Sequence, residues 1–192
     1  RDQVGPELTP NIYSFANQSL DFRNHYSGGN SSRMGFFSMF YGLPSTYWQA
    51  FYSSQTQPVL MEQLQANNYS MGLFSAVGFG SPSQIDRTVF AGFQSALKGV
   101  EGNGDAELSQ AVTYEWDSWL KSYSKPEPFF GFLYFDPGSD WKPPAGIDES
   151  AFTAADRKQA GYRRGLNFID DEIGRILVSL DESIYADNTL VI

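Results

Sequence analysis

The 192-residue sequence has no cysteine and a single histidine, His25. The lack of cysteine excludes disulfide scaffolds, thiolate zinc sites, cysteine nucleophiles and iron–sulfur clusters. A Ser-His-Asp triad or an imidazole metal site would have to depend on His25 alone, so the sequence disfavours both. No run approaches the roughly 18 apolar residues of a membrane span, and the N-terminus lacks the apolar stretch of a signal peptide. Both ends look cut, which predicts a piece of a longer protein.

Basic residues are also scarce. Lys and Arg number 13 against 22 Asp and Glu, which gives a formal net charge of −9 and a pI of about 4.5. A nucleic-acid-binding protein needs a basic surface to displace counterions from phosphates, so nucleic acid is excluded as a partner. The chain is 41% hydrophobic and 16% aromatic, which is enough to bury a core. We therefore expect residues 1–192 to form a single, partial domain.

Helical and strand-like patterns alternate along the chain, which predicts an α/β fold with a mostly parallel sheet flanked by helices. The expected sheet lacks strands at both ends because the chain is a fragment. The predicted helices lie near Pro10–Ser19, Met34–Tyr41, Val59–Ala66, Asp105–Tyr123 and Thr153–Asp181. The predicted strands are Leu20–Tyr26, Tyr69–Ala76, Pro128–Phe135, read as an interior strand, and a last one beginning at Leu190.

The segment Ser27–Arg33 (SGGNSSR) stands directly before a predicted helix. Backbone N–H groups at a helix N-terminus bind anions, and glycines allow a ligand to approach closely. A hydroxyl there attacks phosphorus or sulfur once a metal ion or a base removes its proton. The alternative is structural: Ser31 caps the helix, Arg33 is solvated and the glycines form a turn. Spacing alone leaves both interpretations open.

Other polar and aromatic groups favour structural roles. Asp170 and Asp171 are adjacent on a predicted helix and point about 100° apart, so they do not share a site easily, and Asp171 is spaced for a surface ion pair with Arg175. The loop Asp136–Trp141 follows a predicted strand, where function is common, but its composition is equally that of a turn. Four aromatic residues are expected to fill the core rather than form a binding platform: Tyr47, Trp48, Phe51 and Tyr52.

Two blocks of sequence resemble the sulfatase and alkaline-phosphatase superfamily. The first is Ile169–Leu177 (IDDEIGRIL) with Ala186–Ile192 (ADNTLVI), and the second runs from Gly29-Asn30-Ser31-Ser32-Arg33 to Phe40-Tyr41-Gly42-Leu43-Pro44. The second block is similar to the branch related to lipoteichoic acid synthase, and to the periplasmic domains of sulfatase-like inner-membrane proteins of Gram-negative bacteria. The resemblance implies an alkaline-phosphatase-like α/β/α fold.

The resemblance also implies site residues. Ser31 stands where enzymes of this branch carry a threonine that is both nucleophile and metal ligand. Gly29, Asn30, Ser32 and Arg33 would then bind the substrate anion. Formylglycine sulfatases need Cys or Ser where Gly29 stands, so we do not expect a formylglycine enzyme. The metal would be Mn²⁺, Mg²⁺, Ca²⁺ or Zn²⁺, with its other ligands outside this chain.

From the resemblance we expect the intact protein to be a metal-dependent hydrolase or transferase acting on phosphate or sulfate esters. The alternative is a catalytically lapsed domain that binds lipid and controls lipopolysaccharide and cardiolipin homeostasis. Either would lie on the periplasmic face of the inner membrane, anchored by helices absent from this chain. The fragment alone is expected to hold no metal and not to hydrolyse p-nitrophenyl phosphate, because a serine hydroxyl without a neighbouring cation or base is inert.

Overall fold

A computed structural model describes residues 5–22, 24–136 and 153–192, and of residues 154–157 only the backbone. The helices are α1 (Pro10–Ala16), α2 (Ser32–Tyr41), α3 (Trp48–Ser54), α4 (Val59–Ala66), α5 (Asp105–Ser122) and α6 (Ala154–Asp181). The strands are β1 (Ser70–Ser75), β2 (Leu97–Gly99) and β3 (Phe129–Tyr134). They form one sheet in the order β2-β1-β3. The predicted α/β class with a parallel sheet flanked by helices is confirmed.

The chain divides into two compact units. The first unit comprises residues 1–21, 100–123 and 134–192 and contains α1, α5 and α6. The second unit comprises residues 22–99 and 124–133 and contains the sheet with α2, α3 and α4. Each unit has buried side chains of its own, so each is described by itself.

The second unit is organised around β1, the central strand of the sheet. β1 pairs with β2 in parallel, with Leu73 opposite Leu97, and Leu73 and Phe74 are fully buried. Phe132 of β3 makes edge-to-face contacts with Phe90, at 5.1 Å between ring centroids, and with Phe40 of α2, at 5.9 Å. These contacts fix α2 against the sheet by aromatic packing.

The first unit is helical. The amphipathic helices α5 and α6 pack together and bury Val112, Trp116, Ile169 and Leu180. The short α1 packs on α6. Its N-cap is Thr9 and its first residue is Pro10, a position where the missing N–H of proline has no cost.

Several predicted elements are wrong. Residues 20–22 and 24–26 form no strand; Leu20 and Phe22 are exposed and have no sheet neighbour among the described strands. Leu190–Ile192 also form no strand, because an apolar run becomes a strand only through backbone pairing, and the structure shows none for these residues within the part of the chain that it describes. β3 is an outer rather than an interior strand of the described sheet, and its residues are only half-buried.

Candidate functional site

The N-terminus of α2 brings together the residues that the sequence singles out. Ser31 is the N-cap, with the extended backbone angles φ −131° and ψ 154°, and its carbonyl accepts the N–H groups of Met34 and Gly35 at 3.0 Å. The Ser31 side chain is exposed, and within the described residues its hydroxyl makes no capping hydrogen bond. Ser31 is therefore a cap by its backbone only. Its hydroxyl lies at the positive end of the helix dipole and is accessible to a ligand.

The glycines that precede Ser31 pack against the protein's own helix. The Gly28 N–H donates to Ser38 Oγ at 3.1 Å, and the Ser45 hydroxyl donates to the Gly28 carbonyl at 2.6 Å. A Cβ at Gly28 would lie 2.3 Å from Ser38 Cβ, and one at Gly29 would lie 2.6 Å from Met34 Cβ. Both positions therefore require glycine, because the loop folds directly onto α2.

Arg33 is not the solvated side chain of the structural alternative. It is half-buried, and its guanidinium carbon lies 5.0 Å from the centre of the Trp48 ring. Trp48 stacks on Tyr52 at 4.6 Å, and the Arg87 guanidinium lies 4.6 Å from the Tyr52 ring and donates to its hydroxyl at 2.9 Å. The prediction that the aromatic residues of this segment fill the core is confirmed for Trp48, which is buried. It is wrong for Tyr47, which is 56% exposed.

The remaining residues predicted for this site lie on the same segment. Asn30 and Ser32 are exposed, and Ser32 is the first residue of α2. Gly29 is half-buried where the loop meets α2. Their roles in binding an anion stay predictions. His25 is exposed and does not follow a strand, so the structure places it on an irregular segment.

The paired carboxylates on α6 have structural roles. The buried Asp170 accepts the backbone N–H groups of Asn11 at 2.9 Å and Ile12 at 2.8 Å, and the Asn11 side-chain amide at 2.9 Å. Arg175 pairs with the buried Glu172 at 2.8 Å, so the predicted pair with the exposed Asp171 is wrong. The i, i+3 spacing on a helix serves the ion pair as well as i, i+4 does.

The loop predicted from Asp136 to Trp141 lies outside the described residues except for Asp136, which is exposed. The described residues contain no group of three or more His, Cys, Asp or Glu side chains that could hold a metal ion. Ser31 offers one hydroxyl oxygen, whereas Ca²⁺ and Zn²⁺ take several protein ligands and Mg²⁺ is usually held by one or two carboxylates. The described part of the chain therefore does not make up the metal site that the resemblance implies.

Tyr41, the last residue of α2, carries the one clear pKa shift in the described part of the chain. Its hydroxyl donates to the Thr56 carbonyl at 2.7 Å, and its ring stacks on Phe37 at 4.3 Å. Burial raises the pKa of the Tyr41 phenol well above its ordinary value. The phenol is therefore neutral and anchors the end of α2.

Sequence reasoning missed the contacts that hold the site in place. Ser38, Ser45 and Trp48 show no local signal that assigns them to Gly28 and Arg33, since each contact joins residues ten or more positions apart. The sequence does indicate that Ser45 and Trp48 share a face, because they are three residues apart on a helical turn. It does not indicate which residues that face contacts.

Comparisons with known proteins point to one family. A family model described as Sulfatase matches residues 3–192. A protein of Haemophilus influenzae described as "Uncharacterized protein" is 32% identical over 191 residues, which cover 100% of this chain and 28% of that protein. "Inner membrane protein YejM" of Salmonella typhimurium and of Salmonella typhi are each 29% identical over 184 residues, covering 95% of this chain and 28% of each relative.

The chain thus spans about 28% of the length of the curated relatives it matches. Within the residues that the structure describes, no helix is both long and apolar enough to cross a membrane.

Proposed function

The chain belongs to the sulfatase family, and we propose that it carries the hydroxyl-bearing part of a site that cleaves or transfers phosphate or sulfate esters. In this proposal Ser31 is the nucleophile, and the complete site forms only in the full-length protein. The chemistry is that of a metal-dependent hydrolase or of a transferase that passes the bound group to another alcohol.

The position of the Ser31 hydroxyl is the observation that supports this proposal most strongly. The hydroxyl is exposed at the N-terminus of α2 and takes no part in capping the helix. The helix dipole favours a negatively charged group there, and Arg33 two residues later supplies a cation. An ester anion held at this point would have its phosphorus or sulfur atom within reach of the hydroxyl.

A serine hydroxyl needs a cation or a base to lose its proton at neutral pH. Because the described residues do not form a metal site, we propose that the other ligands come from the rest of the full-length protein. Mn²⁺, Mg²⁺, Ca²⁺ and Zn²⁺ are the candidates. Such an ion would supply a Lewis acid next to Ser31.

The relatives named as inner membrane proteins support a place for the full-length protein in that membrane. We propose that this part of the chain faces the periplasm, where its substrates would be lipids or other esters of phosphate or sulfate. The net charge of −9 argues against nucleic acid as a partner.

Turnover by the full-length protein tests the proposal. We expect hydrolysis of p-nitrophenyl phosphate or p-nitrophenyl sulfate that requires one of the four metal ions and falls to background in Ser31→Ala. Ser53→Ala is the matched control, since it removes an exposed hydroxyl on α3, outside the Ser27–Arg33 segment, and is expected to retain most of the activity. Turnover that is equal in Ser31→Ala and in the unaltered protein would refute Ser31 as the nucleophile.

A second candidate is a lapsed enzyme that binds a lipid headgroup and regulates lipopolysaccharide or cardiolipin levels. The observation that favours it is that the N-terminus of α2 and Arg33, the groups proposed to bind the anion, both belong to this chain, and neither would need a metal ion to bind a phosphate. This candidate predicts metal-independent binding to vesicles containing cardiolipin, with no ester cleavage at any metal concentration. Cleavage that depends on Ser31 would exclude it.

A further inference from the structure

We infer that Trp48 is a positioning residue that holds the Arg33 guanidinium beside the N-terminus of α2, oriented for an anion bound at Ser31. The inference rests on the proposed function, because it assigns a role in that same site to a residue outside the glycine-rich segment. Trp48 lies 17 positions after Ser31 and begins another helix, α3.

Direct contact between the two side chains is the first support. The Arg33 guanidinium carbon lies 5.0 Å from the centre of the Trp48 ring, within the range of a cation–π interaction. Trp48 is only 6% exposed and stacks on Tyr52, so the ring cannot turn freely. A long arginine side chain loses considerable rotamer freedom when a ligand fixes it. The Trp48 ring restricts the Arg33 side chain before any ligand binds, so less of this freedom is lost on binding.

The location of Trp48 is the second support. The Ser45 hydroxyl donates to the Gly28 carbonyl at 2.6 Å, so the turn that leads into α3 touches the glycine-rich loop just ahead of Ser31. Ser45 and Trp48 are three residues apart on continuous helical turns, which places them on the same face. The face that holds the loop is therefore also the face on which Arg33 rests.

A cation–π contact leaves the guanidinium able to bind an anion. The contact uses no hydrogen-bond donor, and the five N–H donors of the guanidinium lie in its plane and point outward from its edge. A tetrahedral phosphate or sulfate accepts two such donors side by side. Trp48 thus fixes the orientation of Arg33 without occupying the donors that the anion needs.

Chemical modification measures the position of Arg33 without any ligand. Phenylglyoxal labelling of the full-length protein, followed by mass spectrometry of the Arg33 peptide, compares the unaltered protein with Trp48→Leu. We expect Arg33 to react several-fold faster in Trp48→Leu, while the exposed Arg175 reacts at an unchanged rate. An unchanged Arg33 rate would overturn the inference.

Binding of inorganic phosphate, measured by calorimetry at low ionic strength, tests the effect on the site. We expect Trp48→Leu to weaken binding about three- to fivefold, because Arg33 then loses its rotamer freedom only when the anion binds. The loss should vanish in an Arg33→Ala background, because Trp48 acts only through Arg33. Lys121→Ala removes an exposed positive charge from α5 and serves as the control for net charge.

Trp48→Phe keeps an aromatic face and provides a second variant should Trp48→Leu not fold. It is expected to bind phosphate within about twofold of the unaltered protein, since the phenyl ring retains most of the cation–π attraction. If phosphate binding is lost in Arg33→Ala but is equally strong in the unaltered protein and in both Trp48 variants, the role of Trp48 is refuted and the proposed function is not. Absence of phosphate binding by the unaltered protein would overturn the proposed function and this inference with it.

Discussion

Asp170 attaches α1 to α6 through its carboxylate, and its removal should loosen α1. The carboxylate is fully buried and accepts three hydrogen bonds of 2.8–2.9 Å: two from the backbone N–H groups of Asn11 and Ile12, and one from the Asn11 amide. These two N–H groups belong to the first turn of α1, where no intrahelical acceptor exists. Asp170 therefore acts as an N-cap supplied from another helix.

The size of the effect follows from these contacts. In Asp170→Ala two N–H donors of α1 lose their acceptor, and each such loss costs about 1–3 kcal/mol. Partial access of water to the first turn offsets some of this, so we expect about 3 kcal/mol, more than the upper end of about 2 kcal/mol for N-cap replacements because two N–H donors lose their acceptor. At about 1.4 kcal/mol per tenfold change, α1 should open roughly 100-fold more often.

Hydrogen exchange of the Tyr13 and Asn17 amides, which bond within α1 at 2.9 and 3.1 Å, measures that opening. Asp171→Asn is the matched control, since the adjacent carboxylate is exposed, and it should leave exchange unchanged. Equal protection of the Tyr13 amide in Asp170→Ala and Asp171→Asn would refute the reasoning.

Further predictions concern α2. Gly28→Ala should lower the thermal unfolding midpoint, since its Cβ would lie 2.3 Å from Ser38 Cβ. Gly99→Ala is the control, because a Cβ at Gly99 would have no atom within 4 Å. Equal midpoints for the two variants would contradict the packing of Gly28 against α2. Because burial raises the Tyr41 pKa, the unfolded state releases this proton first as the pH rises. The free energy of unfolding should therefore fall as the pH rises above about 10, the ordinary pKa of tyrosine, until the phenol of the folded protein also ionises. In Tyr41→Phe, the free energy of unfolding measured by urea titration at several pH values should lack this decrease. A decrease that is equally steep in Tyr41→Phe would exclude the Tyr41 phenol as its cause.

Elements with local signals could be predicted from the sequence. Pro58 before α4, Gly42 after α2 and the apolar spacing of α5 each act within a few residues, and the structure confirms these helices. The short strand β2 has only three residues and forms because Leu97 pairs with Leu73 in β1. No pattern within β2 itself predicts that partner.

In the candidate site, too, features encoded by neighbouring residues could be predicted, whereas contacts between distant residues could not. Ser31 could be placed at the start of a helix because the cap, the glycines and the apolar residues that follow are local in sequence. The ring beneath Arg33 could not be predicted, since Trp48 reaches it only through the packing of α3 beside α2. The carboxylate of Asp170 likewise meets Asn11 across 159 positions of sequence.

The central claim is that the Ser31 hydroxyl is the group that reacts with the ester. The most direct measurement is mass spectrometry of the Ser31 peptide after the full-length protein is mixed with a phosphate ester and a divalent metal ion, then quenched with acid. We expect a phosphoryl group on Ser31, absent when the metal is omitted and absent in Ser31→Ala. Ester cleavage with no label on Ser31, or with the label on Ser32, would contradict it.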